Sequence, residues 1–234
     1  MALRTIRHSE KHSILTAYSP ECGRVAFAVP AGAGREASRR RALLMPLGLV
    51  ECVADITAGR EVHTMRDVRA LVPLHGIHAH PVKSAIALFV AELLGIVLRE
   101  GPPDEALFAY IRYSVIELDG VVPSRVANFH LCFLYGLGRF LGIEPYTDNY
   151  REGMVFDMQD GCYRLSPPMH RNYLPPAESA VVAAMARMDY ANMHLFKMSR
   201  QERNAVLDGI LRYYSLHYSA LGSLKSLDVL RVLF

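Results

Sequence analysis

Cysteine is scarce in this sequence, and its placement argues against a metal site. The four cysteines, Cys22, Cys52, Cys132 and Cys162, lie far apart, with no CxxC pair and no close CxH pair. Zinc sites in proteins are commonly built from such pairs. Histidines do gather at positions 63, 75, 78 and 80, but we interpret them as polar residues of a linker. We therefore predict no metal, and thiols that stay reduced in the cytosol.

Long hydrophobic runs are missing as well. The opening residues, MALRTIRHSEK, carry charges within the first few positions, so they do not form a secretory signal. No stretch reaches the roughly 18 consecutive apolar residues that a membrane span requires. The sequence therefore predicts a soluble, cytoplasmic protein with no membrane partner.

Signatures of catalysis are the third absence. The segment AGAGREAS is not a phosphate loop, because the Lys-Ser/Thr pair that reaches phosphate and magnesium is missing. No GxSxG turn frames a serine nucleophile. We predict a protein that is not an enzyme and needs no cofactor. One alternative stays open, a hydrolase whose site pairs His130 or His170 with Cys132 or Cys162 in the fold.

Positive charge is concentrated at one end of the chain. Before His80 there are eleven Lys and Arg against seven Asp and Glu, and from there on fifteen against sixteen. The formal net charge of +3 therefore arises in the first third. A localised positive excess suits a surface that binds a polyanion, because each neutralised phosphate releases condensed counterions.

The first seventy residues predict a small β-barrel. Short alternating or apolar segments bounded by turn residues predict five strands, one that starts at Leu3 and others at 14–18, 24–29, 47–54 and 62–71. The segment AGAGREASRRR, between the third and fourth strands, predicts a mobile loop. Five short strands without a helix of useful length among them are typical of a closed or partly open barrel.

Beyond residue 76 the pattern becomes helical. Pro73, Gly76 and Pro81 mark a boundary, which predicts a barrel domain at 1–76 and a mostly α-helical domain at 77–234, so that the fold class is α+β. A Pro- and Gly-rich excursion at 142–176 interrupts the second domain, with a hairpin turned at Asp160 and Gly161. Apolar spacing and a capping box at Ser199 and Glu202 predict helices at 82–98, 104–118, 126–141, 176–188, 199–219 and 226–233.

This order of modules resembles the RecO family of recombination mediators along the whole chain. LRTIRHSEKHSILTAYSPECGR, ALLMPLGLVECV and GREVHTMRDVRALVPL resemble strands of its first domain, and SAIALFVAELLGIVLRE and NFHLCFLYGLGRFLGIEP resemble helices of its body. The resemblance implies an OB-fold barrel that binds single- and double-stranded DNA. It also implies strand annealing in DNA repair and recombination, without nucleotide hydrolysis, and the loading of a recombinase. The implied partners are the RecR clamp protein and the C-terminal tail of the single-strand DNA-binding protein.

Three features depart from the family pattern. Many members carry a zinc-binding cysteine cluster in the excursion, whereas this chain has only Cys162 there, so the resemblance brings no zinc site with it. Pro30 stands where a lysine is common. The chain also begins in the middle of what the pattern makes the first strand.

The predicted DNA contacts are cations of the first domain. Oligonucleotide-binding barrels hold phosphates with cations and often stack bases on aromatics. This domain has only Tyr18 and Phe27 as aromatics, and Phe27 lies in an alternation typical of a core. We therefore expect phosphate contacts to dominate, and binding to be sequence-tolerant and strongly salt-dependent. The predicted residues are Arg4, Arg7, Lys11, Arg24, Arg35, Arg39, Arg40 and Arg41, with Arg66 and Arg69 expected on a solvated strand face.

A partner surface is predicted in the helical domain. A receptor for an acidic tail that ends in a carboxylate and an apolar residue needs a cation beside an apolar pocket. Arg139 and Phe140 offer that combination, and Arg112 and Arg125 precede them in the sequence. A second alternative stays open here, a protein-binding adaptor whose barrel does not bind DNA directly.

Overall fold

The chain folds into two compact units. The structure is a computed structural model that describes residues 1–99 and 101–233. One unit comprises Met1–Gly120 with Leu224–Leu230, and the other comprises Val121–Ser223 with the residues that follow Leu230. A five-stranded sheet in the first unit and helices along most of the remaining chain confirm the α+β prediction. Within the described residues, no helix combines the length and the apolar character that a membrane crossing needs.

The first unit is built on an antiparallel meander that a further hairpin extends. The sheet order is β1-β2-β3-β5-β4, with a parallel pairing of β3 and β5 and antiparallel pairings elsewhere. Before β4, the N–H of Ala2 donates to the carbonyl of Gly48 at 2.9 Å, and the N–H of Leu47 donates to the carbonyl of Ala2 at 2.8 Å. Strands β1 and β4 do not pair directly within the described part of the chain, so the sheet keeps two edges. The five strands are β1 (Ala2–Arg7), β2 (His12–Ser19), β3 (Gly23–Pro30), β4 (Val50–Asp55) and β5 (Val62–Ala70).

Period-two alternation sets the two faces of β3. Val25, Phe27 and Val29 are buried, whereas Arg24 and Pro30 on either side of them are exposed. Leu15 of β2 is fully buried in the same apolar cluster. The prediction that Phe27 belongs to the core is confirmed. Alternation of this kind places one face of a strand on the core and the other in solvent.

The prediction of a mobile loop between β3 and β4 is wrong, because this segment contains the helix α1 (Arg35–Leu43). Its residues REASRRRAL are mostly strong helix formers, and Glu36 pairs with Arg40 one turn on at 3.7 Å. Ala37 is buried and anchors the helix. The glycines that suggested a loop lie before the helix, where Gly34 has φ 99°, a conformation that favours glycine.

Three helices follow the sheet in the first unit: α2 (His75–Ala79), α3 (Pro81–Val97) and α4 (Glu105–Gly120). Helix α2 occupies the predicted linker, where Ile77 is buried and its N–H donates to the Asp119 carboxylate at 2.7 Å. Lys83 donates to the Asp119 carbonyl at 2.6 Å, which joins α3 to the end of α4. The histidine-rich segment is therefore a packed connection and not only a polar linker.

The second unit contains the predicted excursion and its hairpin. Helix α5 (Phe129–Phe140) precedes it, and α6 (Pro176–Met185) and α7 (Arg200–His217) follow it. The hairpin prediction is confirmed, because β6 (Val155–Asp157) and β7 (Cys162–Arg164) pair across Asp160 and Gly161, and β8 (Tyr173–Leu174) adds a third strand. The capping box prediction is also confirmed, since Ser199 and Glu202 exchange hydrogen bonds at the start of α7. The final predicted helix is α8 (Ser226–Leu233).

Two tyrosines of α7 hold the helices of this unit together. The Tyr214 hydroxyl donates to the Leu134 carbonyl at 2.6 Å, and the Tyr213 hydroxyl donates to the Ile143 carbonyl at 2.9 Å. Both tyrosines are buried. Leu134 lies in the middle of α5 and Ile143 lies just after its end, so the two hydroxyls join α7 to α5 and to the segment that follows it.

Candidate nucleic-acid interface

Helix α1 carries four of the eight predicted DNA-binding cations. Arg40 and Arg41 bind the preceding loop, with Arg40 donating to the Pro30 carbonyl at 3.4 Å and Arg41 to the Gly32 carbonyl at 2.8 Å. Arg35 and Arg39 are exposed, and their side chains make no hydrogen bond or ion pair with the described residues. They are four residues apart and therefore lie on one face of α1. Because they are exposed and have no side-chain partner among the described residues, their guanidinium groups remain available to a ligand.

A groove lies on one side of α1, with β1 as its opposite wall; we call it the β1 groove. Its volume is about 1020 Å³. Arg4 and Arg7 line it from β1, and Arg40 and Arg41 line it from α1. Lys225, just before α8, adds a fifth cation. The carboxylates of Glu10 and Glu92 also line the groove, so the positive charges are in excess.

Glu92 joins the start of α8 to α3 inside the first unit. Its carboxylate accepts hydrogen bonds from the N–H groups of Lys225 at 3.1 Å and Ser226 at 2.8 Å. Burial raises the pKa of Glu92, but these hydrogen bonds and the charge of Arg4 outweigh it and leave the pKa lowered. Glu92 is therefore a fixed negative charge that positions Lys225 at the rim of the β1 groove.

A second groove lies on the other side of α1, with β5 as a wall; we call it the β5 groove. Its volume is about 900 Å³. Arg35 and Arg39 line it together with Arg40, which lines both grooves. Arg66 lines it from β5, and the carboxylates of Glu36 and Asp67 reduce its positive charge without cancelling it.

The other two predicted cations line neither groove. Lys11 is exposed before β2, and its carbonyl accepts a hydrogen bond from Ala31 at 2.8 Å. Arg24 is exposed at the start of β3, six residues from Pro30, which corresponds to about 20 Å along the strand. The structure therefore brings together Arg4, Arg7 and the arginines of α1, and it leaves Arg24 at the far end of the sheet.

Arg69 has a partner within the sheet. Its guanidinium makes two hydrogen bonds to the Glu51 carboxylate, at 3.1 and 3.2 Å, and these two residues are opposite each other on β5 and β4. The hydrogen bonds to Arg69 lower the pKa of Glu51. Because Arg69 is paired with Glu51, Arg66 is the cation of β5 that lines a groove.

The N-terminal sheet offers no exposed aromatic ring on which a base could stack. Tyr18 and Phe27, its two aromatics, are 3% and 6% exposed. Apolar side chains of another kind do line the β1 groove: Met45, Leu88 and Val229 are 45%, 43% and 49% exposed. Cations beside aliphatic surface are therefore the chemistry that this interface presents.

Two contributors to the interface escaped the sequence reasoning. Lys225 and Leu88 reach the β1 groove from segments far from the N-terminal strands in sequence. No periodic pattern in the sequence predicts that Lys225 and Leu88 line the same groove as β1. Their position depends on how α3 and the start of α8 pack beside β1. A signal for α1 itself was present, since Arg, Glu, Ala and Leu dominate its sequence and all favour helix.

The predicted partner residues are exposed but do not line the apolar cavity of the second unit. Arg125 and Arg139 are exposed, and Phe140 is half-buried at the end of α5. The cavity, of about 230 Å³, lies among α5, α6 and α7, and Glu178 and Glu202 are the charged residues in its lining. A carboxylate tail would find no cation in that lining. Arg112 is exposed on α4 of the first unit. The partner surface at these four residues stays a prediction.

The geometry of the cysteines and histidines opposes the hydrolase alternative. Cys132 is buried, and burial followed by the charge of Asp189 raises the pKa of its thiol to about 12. A nucleophilic cysteine needs the opposite shift. Both ring nitrogens of His170 are engaged, because Nδ1 accepts from the Asn172 N–H at 3.2 Å and Nε2 contacts the Asp157 carboxylate at 3.3 Å.

Neither a metal nor a base fits the remaining candidates. Within the described residues, no three His, Cys, Asp or Glu side chains come close enough together to hold a metal ion. His130 is fully buried, and burial followed by the charge of Arg203 lowers its pKa to about 3. A histidine in that state stays neutral and has no access to substrate, so it acts as a structural residue.

Models of known families match nearly the whole chain. The model described as "Recombination protein O N terminal" matches residues 1–73, and the model described as "Recombination protein O C terminal" matches residues 78–228. The chain belongs to the RecO family. The prediction from sequence resemblance is thereby confirmed. Strands β1 and β5, which form walls of the two grooves, and helix α1 lie within the residues that the N-terminal model matches. Lys225 lies within those that the C-terminal model matches.

Individual RecO proteins are similar along their full length. The DNA repair protein RecO of Phocaeicola vulgatus is 38% identical over 234 residues, covering 100% of this chain and 97% of the relative. Those of Bacteroides fragilis and Porphyromonas gingivalis are 37% and 34% identical, again over 100% of this chain and 97% of the relative. RecO is a family of DNA repair mediators and is not known as a family of enzymes.

Proposed function

We propose that this RecO-family chain binds DNA through α1 and its two flanking grooves, and that it anneals complementary strands during recombinational repair. The observation that carries the proposal is the position of Arg35 and Arg39, exposed on one face of α1 without partners among the described residues. Cations that no protein group neutralises are free to bind phosphates and release their counterions.

The chemistry of the interface favours sequence-tolerant binding. Phosphate contacts position a strand but do not read its bases. The buried state of Tyr18 and Phe27 removes the usual stacking platform of single-strand binders. Affinity then depends on charge, so single- and double-stranded DNA both bind, and binding weakens steeply as salt rises.

Annealing needs no catalytic residue in this scheme. Two strands repel each other through their phosphates, and a basic surface that binds both offsets this repulsion. The sheet that supports the surface has the strand content of an OB-fold barrel. The hydrogen bonds of Ala2 with Leu47 and Gly48 place the segment before β4 beside β1, which supports the assignment to this fold.

The proposal extends to partners and to a place in the cell. We propose that the chain takes part in recombinase loading, together with the RecR clamp protein and the C-terminal tail of the single-strand DNA-binding protein. Arg112, Arg125, Arg139 and Phe140 remain the residues proposed for partner binding, and the exposure of the three arginines supports this role. A cytoplasmic, nucleoid-associated location follows from these partners. The domain division at 1–76 and 77–234 is likewise kept as a proposal.

Fluorescence anisotropy of a labelled single-stranded oligonucleotide, at low and at physiological salt, tests the DNA-binding proposal. The variant changes Arg4, Arg7, Arg35 and Arg39 to Glu, and spares Arg40 and Arg41, which bind the loop before α1. A matched control changes the same number of exposed arginines elsewhere, namely Arg99, Arg112, Arg151 and Arg187.

We expect the wild type and the control to bind, with affinity falling at higher salt, and the groove variant to lose at least about tenfold in affinity. Equal losses in the variant and the control would show a general charge effect and no defined interface. A wild type that fails to bind at low salt would overturn the proposal and favour the adaptor without direct DNA binding.

A further inference from the structure

Helix α1 lies between the two basic grooves. The β1 groove opens on one side of it and the β5 groove on the other, and Arg40 lines both. Arg40 is held in that position, because its guanidinium contacts the Pro30 carbonyl at 3.4 Å and the Glu36 carboxylate at 3.7 Å. These two contacts hold the Arg40 side chain between the grooves.

Each groove combines cations with exposed or half-buried apolar surface. In the β1 groove, Met45 and Leu88 accompany Arg4 and Arg7. In the β5 groove, Leu43, Met65 and Val68 accompany Arg35 and Arg39. Unpaired DNA offers both phosphates and base faces that bury against apolar side chains. Duplex DNA stacks its bases inside and offers phosphates at its surface, so it would leave the apolar part of each groove unused.

We infer that the two grooves are separate single-strand sites, one on each side of α1, which hold the two complementary strands of an annealing reaction at the same time. This inference rests on the proposed function and specifies how it is carried out. An α-helix with its side chains is about 10–12 Å across, so the strands are held within that distance of each other. They are close enough to pair once their ends leave the grooves, while the arginines of α1 reduce the repulsion between them.

The inference predicts that each groove can be inactivated without the other. Arg4 and Arg7 line only the β1 groove, and Arg35 and Arg39 line only the β5 groove. The β1 variant is Arg4→Glu with Arg7→Glu, and the β5 variant is Arg35→Glu with Arg39→Glu. Each has a milder version with Gln at the same positions, for use if charge reversal disturbs folding. Thermal unfolding checks that each protein is folded.

The experiment measures how many short oligothymidylates, too short to run through both grooves, bind per chain in native mass spectrometry. Annealing of two complementary strands is followed separately by fluorescence quenching. We expect two oligonucleotides per wild-type chain and one per chain for either variant. We also expect both variants to lose annealing, although each still binds one strand.

Three other results would overturn the inference. The first two would leave the proposed function intact, and the third would overturn it as well. A single oligonucleotide per wild-type chain, weakened alike by both variants, would mean one continuous path for DNA. One duplex per chain, bound more tightly than single strands and lost in both variants, would mean that α1 enters the major groove of a duplex whose backbones occupy the two grooves. No binding of any DNA would overturn the proposed function itself.

Discussion

The guanidinium of Arg41 donates a hydrogen bond to the carbonyl oxygen of Gly32 at 2.8 Å. Arg40, its neighbour, donates to the Pro30 carbonyl. These contacts fasten the second half of α1 to the loop that leads into it. In the run Arg39 to Arg41, two arginines thus support the structure of the interface, and Arg39 is the one whose charge is wholly available.

Replacing Arg41 and Arg39 in turn separates structural from electrostatic roles. Arg41→Gln loses a hydrogen bond from a charged donor, and we expect it to lower the free energy of unfolding by about 1 kcal/mol. Arg39→Gln is expected to change it by less than about 0.5 kcal/mol. Urea denaturation measures both. Equal destabilisation by the two substitutions would show that the loop contact of Arg41 does not stabilise the fold.

The salt dependence of DNA binding reports how many phosphates the protein neutralises. We expect Arg39→Gln to reduce the slope of log K against log salt by about 0.7 for single-stranded DNA, which corresponds to one lost phosphate contact. Arg99→Gln, an exposed arginine outside both grooves, serves as the control and should leave the slope unchanged. Anisotropy titrations at several salt concentrations give the slopes. An unchanged slope for Arg39→Gln would remove this residue from the interface.

Asp157 organises the hairpin of the second unit. Its buried carboxylate accepts hydrogen bonds from Arg164 at 2.7 Å and from the N–H groups of Gln159 and Asp160 at 2.9 and 3.3 Å. Burial raises its pKa, but these hydrogen bonds and the nearby His170 outweigh that effect and leave the pKa lowered. The carboxylate is therefore ionised at neutral pH, and its contribution to stability is lost only as the pH falls below its ordinary pKa of 3.8.

We expect Asp157→Asn to lower the free energy of unfolding by about 1–3 kcal/mol at pH 7, because the amide keeps an oxygen for the Gln159 and Asp160 N–H groups but loses the charge that pairs with Arg164. Asp160→Asn, at an exposed position in the same turn, is the matched control and should cost less than about 1 kcal/mol. Chemical denaturation compares the two. A cost for Asp157→Asn as small as that of the control would mean that the hairpin does not depend on this carboxylate.

His130 gives the protein a pH-dependent stability. Its pKa is lowered from 6.5 to about 3 in the fold, so the unfolded chain takes up a proton that the folded chain refuses as the pH falls below 6.5. The neutral histidine makes its full contribution to the free energy of unfolding above pH 6.5, and this contribution decreases as the pH falls below 6.5. From pH 7 to pH 5 we expect a loss of about 2 kcal/mol from this residue.

Denaturation at both pH values tests this for the wild type and His130→Gln. The variant should be less stable at pH 7, because a packed side chain has changed, but its stability should fall less between pH 7 and pH 5. His12→Gln, at an exposed position, is the control for the loss of a histidine. If His130→Gln and the wild type lose the same free energy, another group must titrate.

Local patterns predicted the elements whose stabilising contacts are close in sequence. Val25, Phe27 and Val29 are buried and alternate with less buried residues, so β3 is predictable from the chain alone. The capping box at Ser199 and Glu202 marked the start of α7 in the same way. Both signals arise within a few residues, where backbone geometry decides which side chains share a face.

The failed loop prediction shows where local reasoning gave too much weight to one signal. The glycines of AGAG predict a loop, but they end just before α1 begins. Helix formers in REASRRRAL and the burial of Ala37 decide the structure of the second part. Nine residues form a marginal helix by themselves, so packing on the sheet is required as well.

By itself, the sequence determined the α+β class, the basic character of the N-terminal third and the family. These depend on composition, periodicity and the order of motifs, all of which are properties of a linear chain. Only the tertiary structure decided that Arg4 and Lys225 share one groove, that Arg35 and Arg66 share another, and that α1 stands between them. The reason is physical: these residues meet because helix, sheet and chain end bury apolar surface against one another, and such packing has no local signature.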